Sequence, residues 1–192
     1  MTDASSLHQD RLPLSSDALL DLLRGAGVAF DYYEHIPLRT VEDAKTVQGP
    51  VIPEGPGNLH LKNFYLRNRK KRNYLVVLEQ DRAVDLGALG AAIGAGKVSF
   101  GSADRLLEHL GVRPGAVSPL AMVHGAGNGV ELWLDAALRD APVINMHPLV
   151  NDRTVAMGWD GLQALLDRWR APVNWLELRG PGARQNCPVR EI

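Results

Sequence analysis

The stretch HLKNFYLRNRKKRNYLVVLE, residues 60–79, constrains the fold of this chain more than any other. Two runs rich in aliphatic and aromatic side chains, 60–67 and 73–79, flank a knot of positive charge made by Arg67, Arg69, Lys70, Lys71 and Arg72. β-Forming residues on both sides of a charged, solvent-seeking turn predict an antiparallel hairpin. A hairpin alone is marginal in water, so further strands or helices must cover it. The turn itself has three readings: a DNA-binding element, an RNA-docking hairpin, or a solvated turn.

Charge narrows these. The 192 residues carry a formal net charge of -1, so no global positive field draws the chain to nucleic acid, and any such contact must come from a local patch. The absence of a helix-turn-helix pattern speaks further against a dedicated DNA binder. An apolar fraction of 45% and a charged fraction of 22% are ordinary for a globular chain with a real core. Cys187 is the only cysteine, which removes an intrachain disulfide and a thiolate metal cage and fits a reducing, cytoplasmic setting. The opening MTDASSLHQDRLPL has acids and no apolar h-region, so it is not read as a secretory signal. No apolar run reaches about 18 residues, so no membrane span is expected.

Along the chain, residues 1–13 are polar and read as a flexible N-terminal tail, with one domain over 14–192. Ser15, Ser16 or Asp17 caps a helix whose Leu19, Leu20, Leu22 and Leu23 form an apolar stripe. VAFDYYEH, residues 28–35, reads as a strand, and Thr40 opens a short helix, TVEDAKTVQG, with Asp43 placed to complete a capping box. After the Pro- and Gly-rich loop 50–58 and the hairpin come two helices, DLGALGAAIGAG and SADRLLEHLG. A long loop, VRPGAVSPLAMVHGAGNG, leads to the strands VELWLD, PVINMHP and TVAMG, the amphipathic helix WDGLQALLDRWR, and a last strand VNWLELR. Strands and helices alternate without a regular βαβ beat, which predicts a mixed α+β domain: a mixed sheet with helices packed on it.

Familiar catalytic signatures fail. GAAIGAGKV, residues 90–98, lacks the first glycine of a phosphate-binding loop, because position 91 is Ala91, and Val98 stands where a hydroxyl would hold magnesium. HGAGNG, residues 124–129, leads into a strand rather than a helix. The six histidines show no zinc spacing, and no GxSxG elbow exists. Cys187, in a Pro-flanked tail, reads as an unreactive thiol. No metal or other cofactor is expected.

The remaining pieces form an ordered set: VEDAK in a short helix, KNFYLRNRKKRNYLVV, the GxxxP loop Gly115 to Pro119, and HPLVNDRTVAM. This set resembles the YbaK-like family of aminoacyl-tRNA editing domains, over about residues 15–178. Within that family it is most similar to the ProXp-ala (PrdX) group, the freestanding homologues of the editing insertion of prolyl-tRNA synthetase. The resemblance implies a mixed, barrel-like β-sheet surrounded by helices. It implies a hydrolase that cleaves the ester joining a wrong amino acid to tRNA, with alanyl-tRNA for proline as substrate and prolyl-tRNA synthetase as a further partner. It places the functional lysine at Lys45 and the substrate loop at Gly115, Ala116, Val117, Ser118 and Pro119, with His147 and Asn151 beside the pocket. Arg67, Arg69, Lys70, Lys71 and Arg72 then become contacts to tRNA phosphates.

Each assignment has a plainer counterpart. From spacing alone, Lys45 is a solvated charge that pairs with Glu42. GAVSP is a helix-to-strand connection, His147 a packed histidine, Asn151 a turn residue, and the basic turn a solubilising one. The function keeps two alternatives: a deacylase for another small residue, cysteine or serine, and a noncatalytic nucleic-acid-binding module that uses the hairpin.

Overall fold

The basic hairpin is the axis of the sheet. β2 (Asn58–Asn68) and β3 (Asn73–Glu79) pair antiparallel, from Leu61 opposite Glu79 to Arg67 opposite Asn73. Their turn is closed by hydrogen bonds between Asn68 and both Lys71 and Arg72, with Lys71 in the left-handed region at φ 64°. The structure, a computed structural model, describes residues 3–178.

β3 is buried along almost its whole length because both of its faces are covered. Leu75 and Val77 join the main core with Leu19 and Leu23 of α1 (Ser16–Gly25), Leu106 and Leu110 of α4 (Ala103–Leu110), and Leu162, Leu165 and Leu166 of α6 (Trp159–Arg168). Tyr74, Val76 and Leu78 point the other way, into a second core with Leu89 of α3 (Leu86–Ala92). Each fully buried aliphatic side chain contributes about 1.5–3 kcal/mol of transfer free energy, so this two-sided burial accounts for the run YLVVL where a one-sided strand would alternate.

The other strands extend the sheet on both sides. β5 (Val130–Asp135) lies parallel to β3, and β8 (Val173–Leu176) parallel to β5. On the far side β6 (Val143–Met146) runs parallel to the start of β2, β7 (Arg153–Met157) antiparallel to β6, and β1 (Asp31–Glu34) antiparallel to β7. β4 (Val98–Phe100) pairs with the end of β2. The eight-stranded mixed sheet matches the expected fold class, but it ends at β1 and β8, which do not pair; the barrel-like sheet is open.

One detail of this order makes the site. On the edge of β2 opposite β3, residues 58–60 pair with β6 and residues 66–68 with β4. Among the described residues, 61–64 have no strand partner there. α2 (Val41–Val47) lies over this gap, held at its start by a capping box in which Asp43 N–H donates to Thr40 Oγ1 (3.0 Å) and Thr40 N–H to Asp43 Oδ2 (3.1 Å). Such a cap is worth about 1 kcal/mol, a large share of what holds so short a helix. Leu38, Val47 and Ile52 form a small core of their own beneath it.

Several local expectations shift. Residues 28–30 do not join the β1 strand. Leu22 stays 47% exposed, so the α1 stripe is Leu19, Leu20 and Leu23. Residues expected as a loose leader are docked: Ser6–Arg11 form a 3-10 helix, Ala4 O accepts from Asn151 N–H (3.0 Å), and Ser6 Oγ donates to Asp152 (2.7 Å). Part of the long loop is helical, as α5 (Met122–Gly125). The glycines of GAAIGAG serve packing. A Cβ on Gly90 would come within 2.2 Å of the carbonyl oxygen of Gly96, so the run folds back on itself where a phosphate loop would open. Among the described residues no helix is long and apolar enough to cross a membrane. The tail from Gly180, with Cys187, lies outside the described residues.

Candidate active site

The gap in β2 opens into a cleft of about 500 Å³. Its walls come from α2 and the segment before it (Thr40, Val41, Ala44), from β2 (Lys62, Asn63, Phe64) and from the loop after α4 (Gly115, Val117). A narrower recess of about 40 Å³ adjoins it, and Leu38, Ala44, Leu61, Asn63, Gln80 and His147 line both. Ala44, Val47, Ile52 and Met146 make one side of the recess apolar, while His60, Asn145 and Thr154 add polar groups.

Two side-chain oxygens in these walls, Asn63 Oδ1 and Asn145 Oδ1, are buried without a hydrogen-bond partner among the described residues. An unmet buried acceptor costs about 1–3 kcal/mol, so a pair of them in one small recess marks a place that a donor-bearing ligand completes. The α-ammonium of an amino acid is such a donor. Neighbouring groups are already paired: Gln80 Oε1 accepts from Gln48 Nε2 (2.9 Å), and His60 Nε2 lies 2.7 Å from Glu54 Oε1.

His147 stands where the recess meets the cleft. Its Nδ1 faces the carbonyl of Arg153 at 3.1 Å; a carbonyl only accepts, so Nδ1 carries the proton and Nε2 keeps its lone pair. Burial, with a smaller push from the His35 ring, holds its pKa below the usual histidine value. The ring is therefore neutral at pH 7, able to accept a proton.

The expected substrate loop divides. Gly115, at φ 97°, and Val117 line the cleft. Ala116, Ser118 and Pro119 are turned inward and buried, and Ser118 Oγ accepts from Leu120 N–H (3.2 Å) to cap the next turn. The narrow recess owes its walls to α2 and β6 rather than to this loop. Asn151 lines neither hollow. It is a bracket: its Nδ2 donates to Leu38 O (2.9 Å), and Leu38 N–H donates back to Asn151 O (2.7 Å).

The two lysines of this region are placed differently. Lys45, on α2, is outside both hollows; its ammonium donates to Asp81 Oδ1 (2.8 Å), and the side chain is half exposed. Asp81 raises its pKa, and Lys45 lowers that of Asp81. Glu42, the partner suggested by helical spacing, is not the one it takes. Lys62, on β2, lines the cleft, and its ammonium is held by the carbonyl of Arg82. The signal for Lys62 and Asn63 was a polar pair set inside a strand of aliphatic and aromatic residues, but only the gap in the sheet shows why it is tolerated.

The basic turn also divides. Arg67 and Arg69 join Lys97 and Ser99 around a groove of about 380 Å³ between β2 and β4, and Arg67 Nε is buried there without a partner. Lys70 and Lys71 are exposed at the tip. Arg72 turns to the other side and pairs with Glu131 at 2.5 Å. Lys97, which the failed phosphate-loop pattern had set aside, is the cation that sequence reading missed. Among the described residues no group of three or more His, Cys, Asp or Glu side chains could hold a metal ion.

Known proteins fit this architecture. The family model for the aminoacyl-tRNA editing domain matches residues 35–165. The prolyl-tRNA editing protein ProX of Acetoanaerobium sticklandii is 32% identical over 150 residues, covering 78% of this chain and 87% of that protein. The prolyl-tRNA synthetase associated domain-containing protein 1 of Danio rerio is 35% identical over 141 residues, covering 72% and 74%. A crystal structure described as a candidate trans-editing enzyme for prolyl tRNA synthetase superposes with a TM-score of 0.60 at 20% identity, covering 85% of this chain and 98% of that one; it shares the fold. A cleft opened by a break in strand pairing, on a mixed sheet that the editing model spans almost from β1 to α6, leads to one conclusion: the chain belongs to the aminoacyl-tRNA editing domain family.

Proposed function

We propose that this protein is a trans-editing deacylase that hydrolyses the ester of alanyl-tRNA mischarged on the proline-specific tRNA. The observation that carries the reading is the recess of about 40 Å³, with its unpaired amide oxygens, at the side of a cleft wide enough for a terminal ribose. That volume admits only a few water-sized groups. A methyl fits such a space, whereas a pyrrolidine ring adds two carbons. Attraction for one methyl is worth only about 1–3 kcal/mol, so exclusion of proline has to be steric.

An aminoacyl ester is already activated, and the residues needed are correspondingly few. The α-ammonium donates to Asn63 and Asn145, which fixes the carbonyl at the cleft. Lys62 supplies the positive charge against which the carbonyl oxygen turns anionic in the tetrahedral transition state. His147 Nε2 accepts a proton from the attacking water or, through it, orders the vicinal ribose hydroxyl. Lys45 and Asp81 serve as a charged rim at the mouth, a lesser role for Lys45 than the one the family resemblance implies. Arg67, Arg69, Lys70 and Lys71 bind acceptor-stem phosphates. Prolyl-tRNA synthetase, the source of the mischarged tRNA, is the natural partner, and the cytoplasm the natural site.

The polar wall of the recess favours one second reading. Thr154 Oγ1, 2.9 Å from His35 Nε2, keeps further hydrogen-bonding capacity for a hydroxyl or thiol, so seryl- or cysteinyl-tRNA is the competing substrate. A panel of mischarged tRNAs, with correctly charged prolyl-tRNA as control, decides between them. Preferential release of alanine, abolished in Lys62→Ala, supports the proposal. Binding of tRNA without turnover on any member of the panel overturns it in favour of a noncatalytic binding module.

A further inference from the structure

Phe100 is an anomaly on this sheet. It lies in β4 opposite Leu66, yet 59% of it is exposed. Its ring sits 5.9 Å from that of Phe64, tilted by 40°. Phe64 in turn lines the cleft. On the other side, Ser99 and Val98 of the same short strand line the cationic groove with Arg67, Arg69 and Lys97. β4 thus joins the two regions: Phe100 reaches the cleft wall through Phe64, Ser99 beside it in the strand lines the groove, and more than half of Phe100 is left to solvent.

We propose that Phe100, backed by Phe64, is a stacking platform for an unpaired base at the 3′ end of the RNA whose aminoacyl group enters the cleft. This rests on the deacylase reading above. The occupant is fixed by what flanks the ring: a hollow sized for an amino acid at one end, and three cations suited to backbone phosphates at the other. The segment between them must carry a flat apolar surface joined to anionic backbone, which describes a nucleotide. The tilt and spacing of the rings leave no room for a base between them, so it lies on the outer face of Phe100. A phenylalanine offers no hydrogen bond, so the contact reads the presence of a base and not its identity. Phe100 is a positioning residue: it holds the end of the strand so that the ester reaches Lys62 and His147.

The test uses an acceptor-stem RNA hairpin with 2-aminopurine substituted in turn at each unpaired 3′ position, and the wild-type, Phe100→Ala, Phe100→Leu and Phe100→Tyr proteins. Stacking quenches the fluorophore at one position on binding to wild type and Phe100→Tyr, and the quenching is lost in Phe100→Ala and Phe100→Leu. The leucine variant keeps the packing on Phe64 and so separates stacking from folding. On full mischarged tRNA the same two variants raise KM by roughly tenfold with kcat retained. Cleavage of alanine ethyl ester, which has no base, is unchanged. Quenching and KM that survive in Phe100→Ala overturn the inference, as does a change in self-association with quenching intact, which would assign the ring to a protein contact. If the wild-type protein quenches the probe but releases no amino acid from any mischarged tRNA, the deacylase reading fails while the stacking contact stands.

Discussion

The recess under α2 and the groove at the hairpin turn lie along one strand and are built on opposite principles. The recess is small, sheltered and uncharged, with buried amide oxygens waiting for donors. The groove is open, several-fold larger, and lined by Arg67, Arg69 and Lys97. Short-range shape and hydrogen bonding discriminate between ligands that differ by a methylene, while exposed cations give affinity that salt weakens and sequence barely alters. On the function proposed above, recognition of a tiny side chain on a very large polyanion needs both, held apart so that strong phosphate binding does not blur the choice of amino acid.

The sharpest test of that division is Lys62. Lys62→Ala should lower the single-turnover deacylation rate by about 10²–10³, the usual loss when one group that stabilises an oxyanion is removed, with tRNA binding little changed. An equal loss in Lys45→Ala would move the chemistry from the wall to the rim. Next come the recess walls. Ala44→Leu should fill the hollow and cut alanine release by about 10²-fold, and Met146→Ala should widen it and raise hydrolysis of larger aminoacyl esters by about tenfold, measured on the same tRNA panel.

The groove should respond to a different variable. Neutralising Arg67, Arg69 and Lys97 together should reduce the slope of log affinity against log salt by about 2, at about 0.7 per single-strand phosphate contact, and leave the choice among amino acids as it was. A shift in that choice would break the separation of the two regions.

Acid should act on the recess side alone. Burial depresses the pKa of His147 in the folded protein below its ordinary 6.5, so between those two values the unfolded chain takes up the proton first. Stability is full above about pH 6.5 and declines as pH falls toward the folded value; activity of the folded protein holds through that window and is lost only below it, where Nε2 takes the proton. Denaturant midpoints from pH 8 to 5 should show this slope in wild type and a flatter one in His147→Asn. The smallest effect belongs to the rim. Lys45→Ala removes an exposed ion pair with Asp81, and its rate should stay within about twofold of wild type at moderate salt.

Much of the fold could be read from residue patterns, because its local signals agree. The hairpin strands, the capping box of Thr40 and Asp43, and the Ser102 and Gly111 ends of α4 all stand where propensity and capping put them. The site was less legible. Gly115, Val117 and His147 were reachable only through the family resemblance, carried by the GxxxP loop and the HPLVN stretch, because those motifs are local. Lys62, Asn63 and Asn145 were not, since their meaning depends on β2 lacking a partner at residues 61–64, a property of strand order that no short window contains. Lys45 drew attention through the family resemblance alone, since its spacing reads as a surface charge; in three dimensions Asp81, thirty-six positions away, pairs with it. The exposure of Phe100 follows from β4 being a three-residue edge with nothing among the described residues laid over it.

β2 also works as a ruler. The same unbroken strand carries Asn63 beside the recess and Arg67 at the groove, so the distance between them is set by covalent rise, about 3.3 Å per residue, and not by the packing of movable parts. An inserted residue between those two positions would do more than lengthen this gauge. It would also rotate everything beyond it to the opposite side, so the calibration of the strand tolerates substitution far better than any change in its count.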